Sequence, residues 1–416
     1  MANILILSLV FSPDGVSTAA LVSELAHELQ SHGHEMTVLT TQPHYNIDVV
    51  ARSKQPLTRR WGGLFYQSVY HEIPIWHVAM RPKGERVLVR ILDFIFFHIV
   101  SILLGILGTG RQDVVFAVSP PLSIGIVGWL LAVFKKAKFI YNVQELYPDT
   151  AVKSGFLREG TLIVRLFERM AMFIYKRASA LTVICNAFAE AITSKRIDPD
   201  KIMVIPNFVD TENTSPGSKN NSLAAELGLV DKFVVLYAGN IGMLQSLDTL
   251  LEVASTLQFE TNIAFLIVGD GAQRSHIEAQ IHEQKLNNVT LMPYQSRSHM
   301  PVIYATADIC LVPLMAGTAQ TVAPSKLFVI MANGCPALVA VDADSDLAQI
   351  VENAQCGIAV APDNTDALRA GIQHAYENQE LMRNYGNNGR LYAEKNFARK
   401  VIGIQYHNLI QNLVTR

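Results

Sequence analysis

Short, wholly apolar runs alternate with amphipathic stretches along most of the chain. The first apolar run, Ile4 to Val10, is bounded by Ser12-Pro13-Asp14-Gly15. A helical pattern follows over Ala19–Ser31, with Leu21, Leu25, Ala26 and Leu29 on one face. Gly33 ends it, and Glu35 to Thr40 reads as a second strand. This spacing predicts a β-loop-α-β unit, the opening of a doubly wound sheet. Val114–Val118, Lys138–Val143 and Leu181–Cys185 are further strands, with a very apolar helix over Ser123–Phe134. Strands that are apolar throughout belong to a parallel sheet covered on both faces.

The pattern then pauses and restarts. Residues from Pro206 to Ser222 are rich in Pro, Asn, Ser and Gly, as expected of a connection between domains. A second series follows: strands at Phe233–Ala238, Ala264–Val268, Ile309–Pro313 and Ala337–Val341, and helices at Leu247–Leu257 and Pro324–Asn333. From Asp366 onward the pattern is helical. A chain of 416 residues is too long for one ordinary core, which agrees with two α/β domains.

One stretch breaks the rhythm. Phe94 to Gly110 carries no Lys, Arg, Asp or Glu over 17 residues. As a helix it would be roughly 25 Å long, against the about 20 residues of a typical span. Arg81, Lys83, Arg86 and Arg90 precede it. A helix lying in a membrane surface is the preferred reading, ahead of a buried core helix and of a true span. Lys135, Lys136 and Lys138 are expected to strengthen the same membrane-facing side.

Composition sharpens this only in places. Half of the residues are hydrophobic, 17% are charged, and the net charge is −2, so general affinity for nucleic acid is not expected. The charge is uneven: residues 1–205 hold 21 Lys and Arg against 16 Asp and Glu, and the rest hold 13 against 20. A basic front half suits an anionic surface or acceptor, although ordinary surface variation explains it as well. Cys185, Cys310, Cys335 and Cys356 form no CxxC pair and read as small buried residues of a reducing compartment. The opening NILILSLVFSP has no basic flank and no small-residue cleavage site, so it is expected to be a strand and not a leader.

Four loops follow the carboxyl ends of predicted strands, where open α/β sheets bind ligands. In the first, Gly15 permits a close backbone approach before a helix N-terminus. The second, Asn142 to Asp149, carries the carboxylates Glu145 and Asp149, suited to accepting a hydroxyl proton or holding sugar hydroxyls. Asp149 serves equally well as a helix cap. In the third, Gly239, Asn240 and Gly242 suit phosphate approach through backbone N–H groups. In the fourth, Pro324 opens a helix, and Ser325 and Lys326 place a hydroxyl, amides and an ammonium at its positive end. A lysine in a first turn is disfavoured by the helix dipole, so a bound diphosphate is the preferred reason for it.

Together these segments resemble the retaining glycosyltransferases of family four, with GT-B fold. The stretches "VLYAGNIGMLQSLDTLLEVA", "FLIVGDGAQR", "VTLMPYQSRSHMPVIYATADICLVP" and "APSKLFVIMANGCPALVA" occur in the family's order, and "VIPNFVDT" is similar to its domain junction. "NVQELYPDTAVKSG" and the Pro-Ser-Lys helix start resemble the colanic-acid and N-acetyl-fucosamine (L-fucosamine) transferase subgroup. The resemblance implies two Rossmann-like domains with parallel sheets facing a central cleft. Residues 1–207 would bind the acceptor, with a membrane-associating helix near 91–108, and 208–390 the nucleotide sugar. Residues 391–416 would form a helix packing back on the N-terminal domain.

The implied reaction moves a sugar from a nucleoside-diphosphate sugar, UDP-linked by preference, to a polyprenyl-diphosphate-linked or other saccharide in capsule or lipopolysaccharide synthesis. It would run at the inner face of the plasma membrane, without metal or other cofactor. Glu145 and Asp149 would act on the acceptor. Gly15, Gly239, Asn240, Gly242, Gly269, Arg297, Pro324, Ser325, Lys326 and Leu327 would hold the donor.

This chain departs from the broad family at several positions. Asn240 and Gln245 replace an Arg and a Lys after the first strand of the second domain, with Lys326 and Arg297 as compensating cations. Thr321 and Val329 stand where the family has two glutamates, and Gln144 where it often has His. A UDP-sugar epimerase of the same fold, or a catalytically degenerate nucleotide-sugar-binding homologue, are the alternative readings.

Overall fold

A computed structural model describes the chain except for residues 46–48, 83, 85–86, 154, 297, 320–324 and 416. The candidates Arg297 and Pro324, the departure at Thr321, and the basic residues Lys83 and Arg86 lie outside the described residues. The chain divides into two compact units, Met1–Asn207 with Arg399–Arg416, and Phe208–Ala398.

The first unit opens with β1 (Asn3–Ser8), α1 (Ser17–Ser31) and β2 (Glu35–Thr41). β1 pairs in parallel with β2, and α1 buries Val22, Leu25, Ala26 and Leu29. Next come α2 (Val49–Lys54) and three strands that the apolar pattern does not predict: β3 (Thr58–Arg60), β4 (Phe65–Tyr70) and β5 (Ile73–Val78). β4 runs antiparallel to both β3 and β5, so the sheet is parallel at its centre and mixed at this edge. The hairpin eluded pattern reading because polar residues such as Gln67, Ser68 and His77 interrupt its apolar positions. His77 is fully buried, its Nδ1 on Thr41 O at 3.1 Å and its Nε2 on Ser68 Oγ at 2.7 Å. Burial lowers its pKa to about 4, so it is neutral, donating through Nδ1 and accepting at Nε2.

The apolar stretch forms α3 (Val87–Gly108), which starts well before Phe94. Then follow β6 (Val114–Val118), α4 (Ile124–Lys135), β7 (Lys138–Val143), α5 (Asp149–Lys153), α6 (Leu162–Arg177), β8 (Ala180–Val183), α7 (Asn186–Thr193) and β9 (Ile202–Val204). The nine strands run β3-β4-β5-β2-β1-β6-β7-β8-β9. α3 packs on α4 so closely that a Cβ on Gly105 would lie 2.5 Å from a Leu131 methyl. Lys135 donates to Ile106 O at 3.0 Å and Gly110 O at 2.6 Å, capping the end of α3. Its ammonium is thus engaged at the end of α3 itself.

The second unit is wholly parallel. It contains α8 (Ser222–Glu226), β10 (Phe233–Ala238), α9 (Leu247–Thr256), β11 (Ile263–Val268), α10 (Arg274–Glu283), β12 (Val289–Met292) and α11 (Met300–Thr306). It continues with β13 (Ile309–Pro313), α12 (Ser325–Ala332), β14 (Ala337–Ala340), α13 (Asp346–Ala354), β15 (Gly357–Val360), α14 (Thr365–Glu377) and α15 (Gln379–Asn396). The strand order is β12-β11-β10-β13-β14-β15. β10 is buried on both faces: Val234, Leu236 and Ala238 join one core, and Val235 and Tyr237 the other. The chain returns to the first unit at Arg399, where α16 (Arg399–Thr415) lies on α1. Gly403 makes that contact possible, since a Cβ there would meet Glu28 Cγ at 2.2 Å. All four cysteines are buried, and none forms a disulfide.

Candidate functional site

The second unit holds two of the predicted loops, the one after β10 and the one that opens α12, and sets the turn after β11 beside the first of them. Gly239 follows β10 with φ of +148°, a conformation that glycine adopts at little cost. The Gly239 carbonyl lies where a Cβ on Gly269 would come within 1.9 Å, so the two turns touch backbone to backbone. Gly269 is buried and shapes the loop rather than offering a surface. Asn240 is exposed, with its side chain beside Gly242 and Gly271.

Three of the N–H groups in this loop are already used. Gly239 N–H donates to Val268 O at 2.9 Å, Ile241 N–H to Asp270 O at 2.8 Å, and Gly242 N–H to Gln245 Oε1 at 3.0 Å. A phosphate cradle built from the whole Gly239–Gly242 backbone, as the glycines suggest, is therefore not what the loop presents. The Asn240 N–H has no bond to another described residue.

Lys326 stands in the first turn of α12 and reaches back to this loop. Its Nζ lies 3.9 Å from the centroid of the Tyr237 ring and against Gly239, where any Cβ would come within 2.8 Å of Nζ and Cε. Lys326 has no carboxylate partner among the described residues. Tyr237, buried in β10, turns its hydroxyl to the Asn240 carbonyl. Burial lowers the Lys326 pKa to about 7, so near neutral pH its charge is only partly expressed. An ammonium held over an aromatic face and aligned with the positive end of a helix lacks only an anion. Ser325 is exposed beside it. The Leu327 side chain is fully buried in the core, so only its backbone N–H can face a ligand, which narrows its expected role. Val329 is half-buried and packs on the same core.

In the first unit, β7 delivers the second loop. Glu145 follows it on an open surface and makes no hydrogen bond or ion pair with another described residue. Neighbouring protein still partly desolvates its carboxyl and raises its pKa above the ordinary carboxylate value. Asp149 begins α5, and its Oδ2 accepts from Lys195 Nζ at 2.8 Å. Gln144 and Asn207 form a reciprocal amide pair, with bonds of 3.1 and 2.9 Å. Gln144 also donates to Asn142 Oδ1 at 2.7 Å, and Asn142 to Tyr406 Oη at 3.0 Å. Gly15 is half-buried just before Val16, and no side chain caps the first turn of α1. Among the described residues, no group of three His, Cys, Asp or Glu is placed to hold a metal ion.

Two family profiles match the chain: "Glycosyl transferase 4-like domain" over residues 16–207 and "Glycosyl transferases group 1" over residues 220–392. The chain belongs to the family-four glycosyltransferases of GT-B fold. A similar protein is the "Putative colanic acid biosynthesis glycosyl transferase WcaI" of Escherichia coli (strain K12), 26% identical over 98% of this chain and 100% of its own length. The "Probable glycosyltransferase WbjE" of Pseudomonas aeruginosa is 24% identical over 64% of this chain and 67% of its own. Among solved structures, Anabaena Alr3699/HepE in complex with UDP-glucose superposes with a TM-score of 0.73 at 16% identity, covering 99% of this chain and 100% of that one. WaaG, a glycosyltransferase involved in lipopolysaccharide biosynthesis, does so with 0.69 at 16% identity over 98% and 99%.

In this glycosyltransferase, Gly239, Asn240, Gly242, Gly269 and Lys326 come together within one unit from three separate stretches of the sequence. Ser325 and the Leu327 N–H stand at the same helix start. Glu145, Asp149 and Gly15 belong to the other unit. Sequence reasoning missed Tyr237, which seats the ammonium; the available signal was a tyrosine in an all-apolar strand, whose hydroxyl needs a partner. It also missed Arg274, which donates to Gly269 O at 2.6 Å and Met292 O at 3.0 Å and so fastens the ends of β11 and β12.

Proposed function

We propose that this glycosyltransferase moves a sugar from a UDP-linked donor to a lipid-linked saccharide at a membrane surface, with retention of configuration, in cell-surface polysaccharide synthesis. The observation that carries the donor assignment is the ammonium of Lys326, held over Tyr237 and Gly239 at the start of α12 with no carboxylate beside it. Alr3699/HepE, a solved relative in fold, has been captured with UDP and with UDP-glucose, which supports the nucleotide. The likeness to the colanic-acid transferase supports the polysaccharide setting. The subgroup segments around Glu145 and Lys326 support an N-acetylated deoxyhexosamine as the sugar.

In this reading the diphosphate rests on Lys326, Ser325 and the first amides of α12, with the Asn240 N–H beside it. As the bond from the anomeric carbon to the diphosphate breaks, negative charge grows on the leaving oxygen. The protonated lysine and the helix start offset it, as a divalent ion does elsewhere. Glu145, unpaired and of raised pKa, receives the proton of the attacking hydroxyl. Asp149, tied to Lys195, fixes the start of α5 and so the far end of the Glu145 loop.

The membrane setting draws on α3. Among the described residues it is the one helix long and apolar enough to cross a membrane by length and composition, and only 28% of its most apolar window is buried. Phe97, Val100 and Leu104 face inward while Leu92, Ile99 and Leu103 face out, which supports a helix lying in the interface. A thermal-shift panel of UDP-, GDP- and dTDP-sugars, followed by transfer assays on lipid extracts, tests the reading. UDP-sugars alone should raise the melting temperature and be turned over with lipid. Stabilisation by GDP-sugars only, or binding without turnover on any lipid extract, overturns it.

A further inference from the structure

We infer that the start of α6, beside the Glu145 loop, is a second docking surface for an anionic lipid bilayer. This rests on the membrane-surface reading above and deepens it. The turn before α6 and its first two turns expose Phe156 (85%), Leu162 (81%), Ile163 (55%) and Leu166 (58%), a density of bare apolar side chains unusual on a soluble surface. Val164, Ala171 and Ile174 hold the opposite side of the helix in the core.

The polar residues around this patch give its partner a charge. At helical spacing Arg165, Arg169 and Lys176 form one row directly alongside Leu162 and Leu166, and Arg158 precedes them in the turn. Glu168 falls on the far side of that row, and Glu159 lies in the turn. Arg158, Arg165 and Arg169 make no ion pair with another described residue. An apolar row flanked by a basic row is the signature of a helix lying on an anionic interface.

Its location ties it to the reaction. Phe167, between the two rows and the core, meets the Tyr147 ring edge-on at 5.2 Å. Tyr147 is two residues beyond Glu145, so a bilayer seated on α6 holds that carboxylate near the headgroups. The outward apolar face of α3 belongs to the same layer, since α3 packs on α4 and α4 on α6.

The test is co-sedimentation of the full chain with vesicles of phosphatidylcholine alone and with a one-third share of phosphatidylglycerol. The native protein should pellet with the anionic vesicles. R165Q/R169Q should partition about thirtyfold more weakly, as expected for the loss of two basic contacts. R165E/R169E should fall further still, and L162S/I163S/L166S should lose binding to the anionic vesicles. All positions are exposed, so melting temperature and UDP affinity should stay native. Any of these three α6 variants pelleting like the native chain overturns the inference. So does a native chain that dimerises without vesicles and is made monomeric by L162S/I163S/L166S, because the patch is then an interface between copies. UDP affinity of the native chain is read separately, and its absence sinks the donor assignment alone. A native chain that ignores both vesicle compositions sinks the membrane setting itself, whereas native-like binding by the α6 variants sinks this surface alone.

Discussion

Replacing Lys326 with Met should make the protein more stable and a poorer binder of UDP at the same time. Met keeps the length and most of the hydrocarbon that lies against Gly239 and the Tyr237 ring. It removes an ammonium whose burial lowers its pKa from 10.5 to about 7. The unfolded chain therefore binds more protons than the folded one between those values, and stability rises with pH across that window. At pH 7 the desolvated charge costs on the order of 4 kcal/mol of folding free energy, which Met returns. The same substitution removes a charge-assisted contact to the diphosphate worth about 1.5–3 kcal/mol, so UDP affinity should fall about 10- to 150-fold. Urea unfolding of the free protein and calorimetric titration with UDP read the two effects separately. A variant that loses stability along with affinity makes Lys326 a structural residue. Unchanged affinity removes it from the donor site altogether.

Three further outcomes follow from the same geometry. Gly239→Ala places a Cβ within 2.8 Å of the Lys326 ammonium at a φ of +148°, so it should weaken UDP binding at least about tenfold. In a Lys326→Met background it should add little, and additive losses by calorimetry would refute the coupling. Glu145→Gln should cut transfer by about 10²–10⁴-fold with UDP affinity intact, and in the native enzyme the rate should rise with pH through a value above the ordinary carboxylate range. Equal losses in binding and rate would remove Glu145 from the chemistry. Acid should destabilise the protein early: His34 and His77, both held neutral with pKa near 4, each forfeit about 2 kcal/mol by pH 5, because the unfolded chain protonates them from about pH 6.5 downward. Urea midpoints that stay flat from pH 7 to 5 would contradict this.

The parallel centre of both sheets was legible because β1, β6, β7 and β10 are continuous apolar runs, and only a doubly covered sheet accepts those. The β4–β5 hairpin was not, because its buried positions are filled by Ser68 and His77, which only their tertiary bonds make acceptable in a core. The helix was expected near 91–108, and only its first turn, Val87 to Arg90, was missed, because Arg90 divides it from the apolar run. At the Gly239 loop, the glycines were read as room for a phosphate to approach the backbone. They could not reveal that the approach is to neighbouring protein: Gly269 meets the Gly239 carbonyl, and Gln245 folds back on Gly242. Lys326 stood out because the helix dipole made a first-turn lysine anomalous. The seat on Tyr237 was invisible, since it joins residues almost ninety positions apart. Asp149 read evenly as a cap or a site residue, because its partner Lys195 is 46 positions away.

The central claim is that a nucleoside diphosphate completes the charge of Lys326. Calorimetric titration of UDP at pH 7 in buffers of different ionisation enthalpy measures it directly, with Lys326→Met as the reference in which the ligand's own protons cancel. A group with a pKa near 7 is about half protonated when free and fully protonated beside the anion. The native protein should therefore take up about half a proton more than the variant on binding. Equal proton counts for the two proteins would mean that the diphosphate lies elsewhere.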